Sequence, residues 1–298
     1  MANEQMTTQM ASKPGFIAAL DQSGGSTPGA LKLYGIPETA YSGDAEMFRL
    51  MHEMRARIIT APSFTGNRVI GAILFEGTMD GEIENTPVPT YLWEQRRVVP
   101  FVKVDKGLEA EKDGVRLMKP MLELGKLLDR AVKLGVYGTK MRSVIEHASK
   151  AGIAAIVDQQ FDVADQIAAK GLMPILEPEV SIKAPDKAEA EAILRDEIRR
   201  HLDGPSNGHR IMLKLTIPSE PDHYKPLIEH PRVARVVALS GGYTRDDACR
   251  RLVQNHGMIA SFSRALVEEL KKQMSDDQFN AAVGRSIEEI YQASTVKH

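Results

Sequence analysis

Several short apolar runs in this sequence end in charged side chains, and the phase of those charges is its first chemical signal. In RIMLKLTI, Ile211, Leu213, Leu215 and Ile217 share one face of an extended segment, while Met212, Lys214 and Thr216 share the other, because side chains alternate with period two. Lys214 therefore points away from the face that a layer of helices would cover. In VVPFVKVDKG, Lys103 and Asp105 share a face, with Val102 and Val104 opposite. Lys140 and Arg142 share a face in YGTKMRS, Glu177 and Glu179 do so at the end of PILEPEV, and Asp21 closes FIAALD. A strand-end charge taken alone reads as a residue that reaches solvent or pairs with a neighbour. Buried parallel strands are nearly all apolar, and an isolated buried charge is expensive. Five strands ending this way describe an acid–lysine cluster, which is a functional-site pattern. Lys103, Lys140, Arg142 and Lys214 are balanced by Asp21, Asp105, Glu177 and Glu179 only if all are ionised. A basic pocket of this kind suits a phosphorylated substrate. It also depresses the pKa of a neighbouring lysine, which then becomes a nucleophile able to form a Schiff base with a carbonyl.

Two glycine-containing loops extend the reading. DQSGGSTPG follows the first apolar run, and LSGGYTRDD, with Ser240, Gly241 and Gly242, follows the seventh and leads into a helix. Successive backbone N–H groups in such turns make anion nests, and a helix N-terminus adds a favourable dipole. An ordinary tight turn explains either loop equally well on its own. Arg264, in SFSRAL, adds a guanidinium for the same anion, and two anion sites at one mouth suggest a bisphosphate.

The elements that must position these groups are short apolar runs alternating with longer amphipathic segments, the pattern of βα units around a parallel sheet. Strands are expected at Phe16–Leu20, Val69–Phe75, Val98–Val104, Gly135–Lys140, Leu172–Glu177, Arg210–Thr216, Val233–Leu239 and Gly257–Phe262. Eight is the number of a closed (β/α)8 TIM barrel, whose active sites lie at the carboxyl ends of the strands. Asp44 to Thr60 carries Met47, Met51, Met54 and Ile58 on one helical face, and Pro62 stops it. Ser143 to Lys170 reads as a helix, a break near Gly152 and a second helix. Asp186 to Leu202 reads as a helix with Asp186 as its cap. Thr244 with Asp247, and Ser275 with Gln278, have the spacing of helix-start capping boxes. The stretch 106–134 reads as a loop excursion followed by a helix over Lys119–Lys133.

The 298 residues fit one such barrel as a single domain over 14–298, and the polar start up to Lys13 is expected to be a short, flexible arm. That start lacks the apolar stretch of a secretory signal. No run approaches the ~18–20 apolar residues of a membrane span. A net charge of −2 argues against a general nucleic-acid binder. The single cysteine, Cys249, excludes an internal disulfide or a cysteine-rich zinc site, and a reducing, cytoplasmic setting is the simplest reading. The eight histidines show no HxxxH-type pair, so no metal site and no cofactor is expected. Association into a homo-oligomer is left open.

With these residues in view, the chain resembles the class I fructose-1,6-bisphosphate aldolases of the shorter bacterial type. FIAALDQSGGS, GAILFEG, VKVDKG, TKMR, PILEPE, MLKLT, ALSGG and SFSRAL follow in family order over roughly Phe16–Leu270. The resemblance implies reversible cleavage of fructose 1,6-bisphosphate, without a metal, through a Schiff base on Lys214. It implies that Glu177, supported by Glu179, acts as acid and base in carbinolamine formation and dehydration, and that Asp21 and Lys140 flank the reacting centre. Lys103 and Arg142, with Ser23, Ser26 and Arg49, are implied contacts on the far phosphate side, and Ser240, Gly241, Gly242 and Arg264 on the other. The chain departs from the animal members at Gln22, where they carry glutamate, and at Ser263, where they carry glycine. It also ends STVKH, without their terminal tyrosine.

Two other functions remain open on sequence grounds. One is a Schiff-base aldolase for another phosphorylated ketose, such as a tagatose bisphosphate or a ketose 1-phosphate. The other is a catalytically silent phosphate-binding barrel, against which the retained lysine–acid set argues.

Overall fold

The structure is a computed structural model that describes residues 4–23, 27–204 and 208–298. Eight parallel strands form an α/β TIM barrel: β1 (Phe16–Leu20), β2 (Val69–Leu74), β3 (Val99–Lys103), β4 (Gly138–Ile145), β5 (Met173–Val180), β6 (Ile211–Thr216), β7 (Val233–Leu239) and β8 (Met258–Ala260). Each pairs with the next, and the circle is closed between β8 and β1 by a backbone bond from Ala19 N to Phe262 O at 3.2 Å. No helix among the described residues is long and apolar enough to cross a membrane.

Strand parity divides the molecule into two cores. Ile211, Leu213 and Leu215 of β6 belong to the large apolar layer between barrel and helices. Met212 belongs to a second cluster inside the barrel, with Ile17, Phe101 and Ile175. Two residues further along each of these strands, the inward positions change from apolar to ionic. Ile17 and Ala19 lead to Asp21, Phe101 to Lys103, Ile175 to Glu177, and Met212 to Lys214. On β4 the corresponding inward residue before Lys140 is Gly138. A Cβ there would sit 2.8 Å from the Phe101 ring and 2.2 Å from Met173 O, so glycine is required for the lower layer to close. The packed lower layer excludes water beneath the charged one.

The helix α1 (Glu4–Ser12) closes the amino end of the barrel, where the sequence suggests a flexible arm. Met6 and Met10 are buried in the interior cluster. Gln9 Nε2 donates to Ile70 O and Arg97 O, both at 2.8 Å, and Arg235 Nε donates to Met10 O at 2.8 Å. Two methionines four residues apart are a thin signal in a polar stretch, and the tertiary docking decides. Met10→Ala is therefore expected to lower stability by about 2–3 kcal/mol in urea unfolding while kcat is retained. An unchanged midpoint would show that the helix does not contribute.

Among the other helices are α2 (Gly43–Thr60), α3 (Leu124–Lys133), α4 (Lys150–Ala169), α5 (Lys187–Asp203), α6 (Arg245–Leu252) and α7 (Asp276–Thr295). Ser143–Ile145 completes β4 and does not begin a helix. Gly152 lies within α4, where Ser149 Oγ caps its N–H. A Cβ on Gly152 would lie 2.3 Å from Asp113 O, so this glycine permits a close approach and makes no break. The neighbour it admits is the excursion after β3, where Val115–Arg116 pairs antiparallel with Val144 and Ile145. Asp186 precedes α5 without capping it, because its Oδ2 accepts from Ala148 N at 2.9 Å. The Ser275–Gln278 capping box at α7 is complete, and Thr244 Oγ1 accepts from Asp247 N at the start of α6.

Candidate active site

A cavity of about 1190 Å3 opens at the carboxyl ends of the strands. Parity places Asp21, Lys103, Lys140, Arg142, Glu177, Glu179 and Lys214 on its wall. In register, Lys103 lies beside Lys140 and Arg142 beside Glu177, and Leu176 beside Leu213 brings Glu177 next to Lys214. Glu177 uses both oxygens. Its Oε1 is 3.1 Å from Lys214 Nζ and its Oε2 is 2.9 Å from Lys140 Nζ. Lys140 Nζ is also 2.7 Å from Asp21 Oδ2. All four side chains are buried.

Burial raises a carboxyl's pKa, yet the ammonium groups of Lys140 and Lys214 outweigh it and hold Asp21 well below the usual carboxylate range. Burial likewise opposes the charge on Lys140, but Asp21 and Glu177 push its pKa well above the ordinary lysine value. The pair is thus fully ionised at neutral pH.

A second layer lies nearer the rim. Lys103 Nζ is 2.8 Å from Asp105 Oδ1, whose other oxygen accepts from Arg142 N at 3.2 Å. Arg142 Nε donates to Glu179 Oε2 at 2.5 Å. Among the lining residues, Lys32, Lys103, Lys106, Lys119, Lys140, Arg142, Lys214 and Arg264 are cationic. Only Asp21, Glu76, Asp105, Glu177 and Glu179 are anionic. Eight cations against five carboxylates leave a positive surplus, which favours an anionic ligand.

Beyond β7, Ser240–Tyr243 forms a turn closed by Tyr243 N to Ser240 O at 2.9 Å. Gly241 and Gly242 hold φ of +59° and +119°, left-handed values at which glycine is favoured. A Cβ on Gly242 would stand 3.2 Å from Arg264 Nη2, so that guanidinium lies against the turn. The Arg264 guanidinium and the glycine backbone thus stand side by side, donors of the kind that can hold an anion, whereas the first amide of α6, Arg245 N, already donates to Glu268 Oε2 at 3.4 Å. Ser23, Ser240, Gly241 and Arg264 line the cavity. Gly242 backs Arg264, and Ser26 lies outside the described residues.

Arg49 is not brought to the cavity. It stands exposed on α2, paired with Glu46 and Glu53. The arginine of that helix that supports the site from behind is Arg55, which is fully buried and bonded to Thr78 Oγ1 at 2.8 Å and to the carbonyl of Gln22, a lining residue. Burial lowers its pKa to about 10, with Asp21 opposing. The signal was present in the sequence, since Arg55 falls on the stripe of Met47, Met51, Met54 and Ile58. Ser261 was also not anticipated; it is buried, lines the cavity, and its Oγ has no partner among the described residues.

Away from the cavity, Asp158, Glu197 and His201 form the one group of potential metal ligands among the described residues. Arg200 already supplies their cation, 2.5 Å from Glu197 and 3.5 Å from Asp158. Cys249 is partly buried against the main apolar core, and burial, with Glu289 adding, pushes its thiol up to about 12.

No protein-family model matches the chain. Two relatives match it almost end to end, each 56% identical over 292 residues and 98% of this chain. They are the fructose-bisphosphate aldolase class 1 of Synechocystis sp., covered over 97% of its length, and that of Porphyromonas gingivalis, covered over 99%. Among solved structures, a fructose-bisphosphate aldolase from Plasmodium falciparum, crystallised with TRAP and a small-molecule inhibitor, superposes with a TM-score of 0.75. That match covers 99% of this chain and 96% of that one at 20% identity, and it speaks for the fold.

Proposed function

This chain belongs to the class 1 fructose-bisphosphate aldolase family, and on that premise we propose how its cavity cleaves fructose 1,6-bisphosphate to dihydroxyacetone phosphate and glyceraldehyde 3-phosphate. The reaction is a reversible lyase step of glycolysis and gluconeogenesis. The observation that carries the reading is Glu177 set between two ammonium groups, with Lys214 at 3.1 Å and Lys140 at 2.9 Å. Glu177 takes a proton from Lys214, and the freed Nζ attacks the ketone carbon C2 to form a carbinolamine. Glu177 then protonates the departing hydroxyl, water leaves, and a protonated imine remains. The imine withdraws electrons, so the C3–C4 bond breaks with its electron pair retained as an enamine. Asp21, kept ionised by Lys140, accepts a hydrogen bond from the C4 hydroxyl and takes its proton as the aldehyde forms. Asp21 gives up that proton to water as the aldehyde leaves, one proton is taken up at C3 of the enamine to restore the imine, and addition of water to the imine releases dihydroxyacetone phosphate and regenerates Lys214 and Glu177.

Lys103, Arg142, Ser23 and Ser26 serve the phosphate on one side, with Glu179 orienting Arg142 through their 2.5 Å bond. Ser240, Gly241, Gly242 and Arg264 serve the other. The cationic surplus of the wall suits two phosphates, which favours a bisphosphate over a neutral sugar. A cytoplasmic setting, argued from the single cysteine, fits such a substrate.

The test is cleavage measured with EDTA present across fructose 1,6-bisphosphate, tagatose 1,6-bisphosphate and fructose 1-phosphate. The highest kcat/KM is expected for the first. A higher value for either of the others would reassign the substrate, and folded protein that binds all three without cleavage would make this a silent barrel.

A further inference from the structure

The seam between β8 and β1 is the weakest join in the barrel. Unlike its neighbours it has no strand ladder, and Ala19 N to Phe262 O is the backbone bond across it among the described residues. Immediately above that bond, Gln22 Nε2 donates to Ser263 Oγ at 2.6 Å. Both residues line the cavity. The Gln22 backbone is fixed as well, since its carbonyl accepts from buried Arg55.

The neighbours of these two residues give the contact its meaning. Gln22 is followed by Ser23, which lines the cavity and is assigned above to one phosphate. Ser263 is followed by Arg264, whose guanidinium lies against Gly242 in the turn assigned above to the other. This side-chain bond thus joins the residue before Ser23 to the residue before Arg264, one from each of the two proposed anion sites.

We propose that Gln22 and Ser263 form a clasp that sets the spacing between the two phosphate sites, making them positioning residues for bisphosphate over monophosphate ligands. This rests on the assignment of the two phosphate sites given above. A ligand with one phosphate needs only one side placed correctly, whereas a bisphosphate feels any drift between them.

The test is a double-mutant cycle of Gln22→Ala and Ser263→Ala, read by calorimetric binding of hexitol 1,6-bisphosphate and hexitol 1-phosphate. Cleavage kinetics are followed in parallel. Each single variant is expected to bind the bisphosphate roughly 3- to 10-fold more weakly, the scale of one lost hydrogen bond, and the monophosphate less than twofold more weakly. The double variant should be no worse than the singles, and the loss in kcat/KM should fall on KM. Ser263→Thr, which keeps the hydroxyl, should restore the bisphosphate preference. Unchanged binding, equal losses for both ligands, or additive losses would overturn the clasp. Failure of the aldolase reading is distinguishable, because wild-type protein would then not cleave fructose 1,6-bisphosphate while the binding difference could still be measured.

Discussion

Lys214→Met abolishes cleavage of fructose 1,6-bisphosphate, with kcat down by about 10^4-fold or more, as expected when a covalent nucleophile is removed. The protein should nevertheless fold. Lys214 is 4% exposed, and methionine has a comparable unbranched chain that fills the same space without a charge. Glu177 loses its 3.1 Å contact with Lys214 but keeps the 2.9 Å contact with Lys140, so no carboxylate is stranded. The turn at Ser240–Gly242 and Arg264, proposed above to hold one phosphate, is untouched. The expected signature is therefore specific: lost turnover, a retained unfolding midpoint and retained binding of hexitol 1,6-bisphosphate. Loss of folding together with activity would point to Lys214 as a structural cation instead.

Lys140→Met is expected to damage stability and activity together, and in a pH-dependent way. Asp21 would lose its 2.7 Å partner, and breaking a buried pair by removing one member costs about 3–5 kcal/mol. Lys214 also faces Asp21, so the lower end of that range is expected. The sign of the pH effect follows from the directions of the two shifts. The folded pKa of Asp21 lies below its unfolded value, so the wild-type contribution is present above about pH 4 and is lost as pH falls through the folded value. The folded pKa of Lys140 lies above its unfolded value, so its contribution is complete below about pH 10 and is lost as pH rises further. Wild-type stability should therefore be level between those limits as far as this pair is concerned.

In the variant, burial acts on Asp21 with less opposition, its carboxyl moves up, and the acid limb of the stability curve shifts to higher pH. kcat/KM should fall about 10^2- to 10^4-fold, the scale of a displaced acid–base group. Urea unfolding from pH 3 to pH 9 checks this, and an acid limb that does not move would contradict the coupling of Lys140 to Asp21.

How far the sequence alone reaches is clearest at particular residues. Period-two alternation placed Lys214 with Met212 inside the barrel, and the structure puts both there, because a strand's parity is a local property of its backbone. The eight strands could be read for the same reason, since each is a short apolar run bounded by turn residues. What could not be read depends on distant partners. Met6 and Met10 form a buried helix face only because an open barrel end is waiting for them. Gly152 looks like a break until Asp113 and Val115 are seen against it. Arg49 and Arg55 sit on one helix, and the resemblance favoured the exposed one. The apolar stripe on which Arg55 lies was the better guide, because a charge on a buried face must be bonded to something. The contact between Gln22 and Ser263 joins residues 241 positions apart in sequence, beyond the reach of any local pattern.

The central claim is that Lys214 forms an imine with the substrate ketone, and borohydride trapping tests it most directly. The protein is treated with dihydroxyacetone phosphate, EDTA and borohydride, then digested and its peptides are mapped by mass. A stable adduct on the peptide containing Lys214 is the predicted result. An adduct on Lys103 or Lys140, or none on folded protein that still binds the sugar phosphate, would contradict it.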